Sequence, residues 1–296
     1  MKRTFSVPVV PSVVVLGALC LGCSAEGRDV TASPAPSSSQ APAGPGTTGT
    51  PSGIGSNDGG VVTKEPKSEV YGHSGTELYR LDPITKAVTR VGDFKSCGTT
   101  GGVIDIALDE DSNLFASTAQ ALFRVDPDTA KCTKIADGDY PNSLSFVPKG
   151  TVDANAEALV GYDKDDYVRI DPQSGKRSII GSLGQGYTSS GDIVSVKGGG
   201  TYLTVKGNGC DDCIVEVDPA TGALKKKLGS LGHADVFGLA YWAGNAYGFD
   251  KSGNLFEVDL TASKVTTKSI PLPKAPADLS FWGAGSTTSA PVSGPK

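Results

Sequence analysis

Five four-stranded β units closed into a ring are what this 296-residue sequence predicts, and three observations lead there. A short apolar–any–apolar–Asp pattern, usually followed by Pro, recurs five times at a nearly constant interval. The chain between copies carries period-two alternation broken by Gly, Asn, Asp and Ser turns, the signature of short strands. Finally, a segment near the end reads like the strand that the first unit lacks.

The copies are Leu78-Tyr79-Arg80-Leu81-Asp82-Pro83, Leu122-Phe123-Arg124-Val125-Asp126-Pro127, Tyr167-Val168-Arg169-Ile170-Asp171-Pro172, Ile214-Val215-Glu216-Val217-Asp218-Pro219 and Leu255-Phe256-Glu257-Val258-Asp259-Leu260. Their aspartates lie 44, 45, 47 and 41 residues apart. A period of about 40–50 residues with strand signals alone denotes propeller blades. At each turn the Asp side chain can accept backbone N–H groups just ahead, and Pro presets φ for the next position. That structural task accounts for the repeated aspartates without a metal or a catalytic role.

The strands follow in order. In blade one, the chain before the first repeated aspartate has room only for a second strand, near Val70–His73. Blade two comprises Val103–Leu108, Leu114–Ser117, Ala121–Asp126 and Cys132–Ala136, and blade three Ser143–Val147, Ala158–Tyr162, Tyr167–Asp171 and Arg177–Ser182. Blade four comprises Asp192–Lys197, Thr201–Lys206, Cys213–Asp218 and Ala223–Leu228, and blade five Phe237–Trp242, Ala246–Phe249, Leu255–Asp259 and Lys264–Ile270. The segment 277–282, Ala-Asp-Leu-Ser-Phe-Trp, resembles the inner strand at Asn142–Phe146 and is expected to complete blade one. Such closure removes exposed sheet edges and ties the termini together. The prediction is an all-β, five-bladed β-propeller over residues 70–285.

The Asp-Pro-x-Thr-Gly turn at 218–222, with the hairpins Asp163-Lys164-Asp165-Asp166 and Asp250-Lys251-Ser252-Gly253-Asn254, resembles bacterial NHL- and YVTN-type repeat propellers. The resemblance spans 70–285 and implies a fold, on which unrelated functions are found.

The ends of the chain read differently. Met1-Lys2-Arg3 precedes an apolar run from Val7 to Leu21, broken by Pro8 and Pro11 and too short for a convincing membrane span. Leu19-Cys20-Leu21-Gly22-Cys23-Ser24 resembles a bacterial lipoprotein signal, in which a small residue precedes the cysteine that is lipidated. The resemblance implies Cys23 as the lipidation site, and Ser24 after it implies outer-membrane sorting in a host with two membranes. Cys20, standing where the pattern usually has leucine, departs from it, and an ordinary cleaved secretory signal is the alternative. Both readings export the chain. Residues 24–69 are rich in Ser, Thr, Ala, Gly and Pro, without an aromatic side chain, and are expected to form a disordered tether. Its span as a flexible coil is roughly 35–40 Å. A tail with the same composition is expected over 286–296.

A net charge of −5 and a pI near 5.1 lack the basic footprint of a nucleic-acid binder. No metal site, cofactor or catalytic residue is expected. Two histidines leave little material for metal ligation; Asp109–Asn113 lacks the central Gly and terminal Glu of a calcium loop, and no Gly-rich stretch opens a helix. His73 and His233 stand at the two sides of the blade one–five seam, where a shared site is conceivable.

Cys97, Cys132, Cys210 and Cys213 allow three pairings in an exported chain. Cys210-Asp211-Asp212-Cys213 spans a hairpin corner and suits a local disulfide, which leaves Cys97 for Cys132. The two aspartates between the CxxC cysteines would raise the thiol pKa, against a redox role.

Aligned inner strands place Asp105, Asp192 and Asp278 at equivalent positions at one mouth of the channel. Grouped carboxylates can bind a cation or perform acid–base chemistry on a glycoside. Trp242 and Trp282 are further candidate ligand contacts. The expectation is an envelope-anchored, extracytoplasmic and monomeric binding or protein-interaction module. Its partners are the membrane through the lipid anchor and an envelope protein or carbohydrate. The alternative is a carbohydrate-active hydrolase or lyase using the inner-strand carboxylates.

Overall fold

In a computed structural model of the chain, residues 69–98, 101–261, 264–272, 275 and 278–294 are described. Cys23, the signal over 1–23 and the tether up to residue 68 lie outside them.

The structure is a ring of five antiparallel, four-stranded sheets, as expected. Blade one holds β1 (Val70–His73), β2 (Glu77–Leu81) and β3 (Val88–Asp93). Blade two holds β4 (Asp105–Leu108), β5 (Leu114–Ser117), β6 (Ala121–Val125) and β7 (Cys132–Asp137). Blade three holds β8 (Ser145–Val147), β9 (Ala158–Asp163), β10 (Asp166–Ile170) and β11 (Arg177–Ser182). Blade four holds β12 (Thr188–Ser195), β13 (Thr201–Gly207), β14 (Cys210–Val217) and β15 (Leu224–Ser230). Blade five holds β16 (Val236–Trp242), β17 (Asn245–Asp250), β18 (Leu255–Asp259) and β19 (Thr266–Ile270). The last strand, β20 (Gly283–Ser286), pairs antiparallel with β1 and completes blade one.

The turn chemistry is as the repeat dictates. Asp82, Asp126, Asp171 and Asp218 each accept two backbone N–H groups ahead of them at 2.8–3.1 Å. These bonds hold the carboxyls of Asp82, Asp126 and Asp171 below their ordinary range. Four residues after each of these aspartates the backbone turns left-handed. Glycine fills that place at Gly175 and Gly222, both at φ 70°, whereas Lys86 and Ala130 adopt it at 61° and 56°.

The apolar cores lie between neighbouring blades. Phe115 of blade two packs against Phe146 of blade three, with ring centroids 5.3 Å apart. Tyr162 and Tyr167 of blade three join Val205 and Val215 of blade four in another core. The ring is sealed where Phe249 of blade five meets Phe281, just before β20, edge to face at 5.1 Å. Lys86 of blade one also donates to the Tyr247 hydroxyl of blade five.

Among the described residues two disulfides are present, in the expected pairs. Cys97–Cys132, with Cα atoms 5.0 Å apart, pins the blade one–two connection to the outer strand of blade two. Cys210–Cys213, at 5.9 Å, staples the start of β14.

Closure uses the expected end of the chain in a different register. The inner strand is Gly283–Ser286, not 277–282, and the described part of that segment, 278–282, leads up to it. β20 carries only small residues because the ring axis leaves room for nothing larger. A Cβ at Gly283 would run into Asp105 Oδ1 and His73 Nε2, and one at Gly285 would lie 3.1 Å from the Ile106 carbonyl oxygen. Ser286 accepts the Tyr241 N–H at 2.9 Å.

The tail expected from 286 onward is also corrected over its described part. Thr287, Thr288 and Ala290 are buried, and the segment touches all five blades at the end of the ring away from Gly283. Thr287 N–H donates to the Glu69 carbonyl and Ser289 Oγ to the Glu110 carbonyl. Thr288 donates to Glu157, while the Lys197 and Ala243 N–H groups donate to the Thr288 and Pro291 carbonyls. Residues 295–296 lie outside the described part.

Candidate functional site

Every inner strand begins at the same end of the ring, so the residues around its first position form one mouth. Two of the three expected aspartates occur there, at a level just inside it. Asp105 opens β4, and its Oδ1 and Oδ2 accept the N–H groups of Ile106 at 2.9 Å and Leu144 at 2.6 Å. Asp192 sits in β12 after a break in register, and its oxygens accept Ile193 N–H at 2.6 Å and Leu239 N–H at 2.8 Å. Each carboxyl thus bonds the strand it sits on and the next blade round.

Both aspartates are fully buried, and their side chains bond each other. Burial raises both carboxyls well above the ordinary range, and the proximity of Asp192 raises Asp105 further. Two like charges this deep cannot both persist, so the pair retains a proton.

His73, the last residue of β1, completes this level. It is fully buried; Nδ1–H donates to the Ser74 carbonyl at 2.8 Å, which leaves Nε2 bare and 3.9 Å from Asp105 Oδ1. Burial lowers its pKa to about 4, so the ring is neutral at pH 7. His233 is engaged elsewhere: it stacks on Phe256 with centroids 3.7 Å apart and reaches Asp250 at 3.2 Å. The two histidines make separate contacts and form no joint site.

Asp278 is not the third member of a ring. It lies in an exposed turn five residues before β20, and Gly283 holds the place equivalent to Asp105. The two tryptophans also separate. Trp282 immediately precedes β20 at the mouth, 40% exposed, whereas Trp242 ends β16 at the opposite end, half-buried in the core. The acidic loop at 109–113 is self-contained: Asp109 accepts the N–H groups of Asp111 and Asn113 and the Asn113 side-chain amide. Among the described residues no group of three His, Cys, Asp or Glu side chains is arranged to hold a metal ion.

Above the buried pair the mouth opens as a pocket of about 300 Å³. Ile104, Asn142, Ser190, Phe237 and Trp282, one from each blade, line it, with Lys251 at the rim. Its walls are mainly apolar with a few polar groups, the usual make-up of a small-molecule site. Ile104 and Phe237 were not singled out from the sequence. They stand directly before Asp105 and Gly238, so moving the inner-strand alignment one residue upstream would have exposed them.

Beside this pocket, behind Trp282, is a second cleft of about 440 Å³. The β1–β2 hairpin, Gly101 and Gly102, and residues 278–282 enclose it. Its carboxylates are Glu77, which accepts Arg90 Nε at 2.6 Å and the Tyr79 hydroxyl, and Asp278.

No protein-family model matches the chain, and no curated protein matches it. Solved structures do. A chain of the nidogen/laminin complex is similar at 14% identity over 74% of this chain and 98% of that one, with a TM-score of 0.47. The PQQ-bound aldose sugar dehydrogenase of Streptomyces coelicolor is similar at 14% identity over 70% of this chain and 79% of that one, with a TM-score of 0.41. TolB of Acinetobacter baumannii is similar at 14% identity over 71% of this chain and 51% of that one, with a TM-score of 0.42.

Proposed function

We propose that this chain is an extracytoplasmic binding module, tethered to the cell envelope through lipidated Cys23, that takes its ligand at the Trp282 mouth. One observation carries the reading. The inner-strand carboxyls a hydrolase would use are sealed from solvent and bonded to backbone N–H groups of two blades, whereas the open mouth is apolar and aromatic. A general acid must reach its substrate by direct hydrogen bond or through one water, and Asp105 and Asp192 have no exposed surface for that. Their carboxyls are raised by burial, against the opposing pull of the backbone bonds that link the blades, and this needs no catalytic role. The disulfides and the signal-like N-terminus support an exported chain.

Two measurements test this reading. Cys23→Ala should move the protein from the membrane to the soluble fraction, and retention after a salt wash would count against the anchor. The folded domain should then be screened against envelope glycans and peptides beside Trp282→Ala. Binding lost in the variant, without turnover, is the expected result. Cleavage of a bound carbohydrate that Asp105→Asn abolishes would establish the enzyme instead.

A further inference from the structure

We infer that the cleft behind Trp282 is a subsite for an organic ammonium group, an inference that rests on the reading of the Trp282 mouth as the ligand-binding end. Trp282 is the wall common to the axial pocket and this cleft. The two sides differ in chemistry. The axial side offers Ile104 and Phe237, with Lys251 at its rim, and suits a neutral or apolar moiety. The cleft offers the carboxylates of Glu77 and Asp278, the hydroxyls of Ser74, Thr76 and Ser280, and no lysine, arginine or histidine among its described lining.

Carboxylates at the rim attract a cation by Coulomb interaction, and the indole adds to this where the cation lies over its ring face. An anion there would meet two like charges. Arg90 offsets only part of this field, because it reaches Glu77 from the β3 side, outside the cleft lining. The Tyr79 hydroxyl donates to Glu77, orienting that carboxylate; burial and then Glu77 raise the Tyr79 pKa, with a smaller addition from the charge of Asp278.

The floor is shaped for close approach. A Cβ at Gly75 would lie 3.2–3.3 Å from three carbons of the Trp282 ring, so the indole rests on bare backbone. At Gly102, with φ 75°, a Cβ would meet the Gly75 carbonyl carbon at 3.0 Å, and Val103 N–H donates to the Gly75 carbonyl at 2.9 Å. The hairpin and the blade one–two connection are thereby fixed against each other, giving the indole a rigid seat. Pre-organisation of this kind lowers the ordering cost of binding.

An ammonium group could be supplied by a lysine side chain or by an amino sugar, and the test separates them. Nα-acetyl-lysine methylamide and glucosamine would be titrated into the folded domain by calorimetry. Nα-acetyl-norleucine methylamide and N-acetylglucosamine serve as uncharged counterparts. The charged member of at least one pair should bind, and its neutral counterpart at least tenfold more weakly. Asp278→Asn, in an exposed turn, should weaken that binding about tenfold while the thermal midpoint stays unchanged, and Trp282→Phe should weaken it less than Trp282→Ala. The tighter of the two probes identifies the source. Equal binding of charged and neutral probes, or indifference to Asp278→Asn, overturns the subsite. If the ammonium probes fail while a neutral ligand still binds in a Trp282-dependent way, the subsite alone falls. If nothing binds in a Trp282-dependent way, the mouth reading falls and the subsite with it.

Discussion

The Asp105 carboxyl bonds the Asp192 carboxyl in the closed centre of the ring, joining blade two to blade four. Through Leu144 and Leu239 the same two side chains also hold blades three and five. Gly283 of blade one packs directly beneath Asp105. One hydrogen-bonded unit thus reaches every blade, and its stability depends on a proton.

The pH dependence follows from the direction of these shifts. Both carboxyls stand well above their unfolded values, so the native state binds more protons than the unfolded state once pH exceeds about 4. Their contribution is fully present below that pH and is lost as pH rises through the folded values. Asp105→Asn keeps a neutral side chain at one position and should flatten this fall, gaining on the wild type between pH 5 and 8 despite one lost N–H acceptor. Urea melts across that range check it; parallel curves for the two proteins would show that no proton is shared.

Coupling should also appear in a mutant cycle. Asp105→Asn and Asp192→Asn should be non-additive by about 0.5–3 kcal/mol, because the side chains touch. Asp278→Asn should add independently and stay within about 0.5 kcal/mol, as exposed substitutions do. Thermal melts of three single variants and two doubles suffice, and additivity of the Asp105–Asp192 pair would dissolve the proposed unit.

Much of the ring was legible because its signals are local. The Asp-Pro turns, the alternation between them and the cysteine spacing each arise within a few residues, and β5, β11 and β18 fall where the alternation puts them. The closing strand was not legible by the same means. Gly-Ala-Gly-Ser has little intrinsic β preference and is a strand because β1 and β16 pack around it, whereas Leu279, Phe281 and Trp282 imitate a strand by composition. That displacement also misplaced Asp278 in the carboxylate set. Pairing between Asp105 and Asp192, from blades not adjacent in the ring, has no sequence signature at all.

Gly283→Ala tests why the closing strand is made of small residues. Its Cβ would collide with Asp105 Oδ1 and His73 Nε2, both fully buried, so neither can yield into solvent. Overpacking of this kind costs about 1–3 kcal/mol, and the upper end is expected here. A thermal midpoint within a degree of wild type would mean that the axis is looser than these contacts require.

The two disulfides should differ in worth. Cys97 and Cys132 are 35 residues apart, so the chain-entropy relation gives about 4 kcal/mol before strain, against about 2 for the short loop at Cys210–Cys213. Cys97→Ser/Cys132→Ser should therefore lower the urea midpoint more than Cys210→Ser/Cys213→Ser, with the denaturant slope compared alongside. The reverse order would indicate that the Lys95–Lys131 bridge beside Cys132 fixes the blade connection without covalent help.

At the opposite end of the ring, Glu157 governs how the segment after β20 is held. It accepts the Thr288 hydroxyl and the Glu110 N–H, and burial lifts its pKa to about 7, opposed by those two bonds and assisted by the charges of Glu110 and Asp109. Lys197 reaches Glu110 at 3.7 Å and so tempers this acidic group from the blade four side. A folded value above the unfolded one means that the native state carries the extra proton. The stabilisation is full below about pH 4.5 and is lost as pH rises through about 7. Glu157→Gln remains neutral throughout, so it should match the wild type near pH 5 and exceed it in thermal midpoint near pH 8. Protease cleavage within 287–294 should follow the same order, with the wild type cut faster at pH 8 than the variant and the two cut alike at pH 5. Equal cleavage at both pH values would show that Thr287 and Ala290, through burial alone, hold the segment in place.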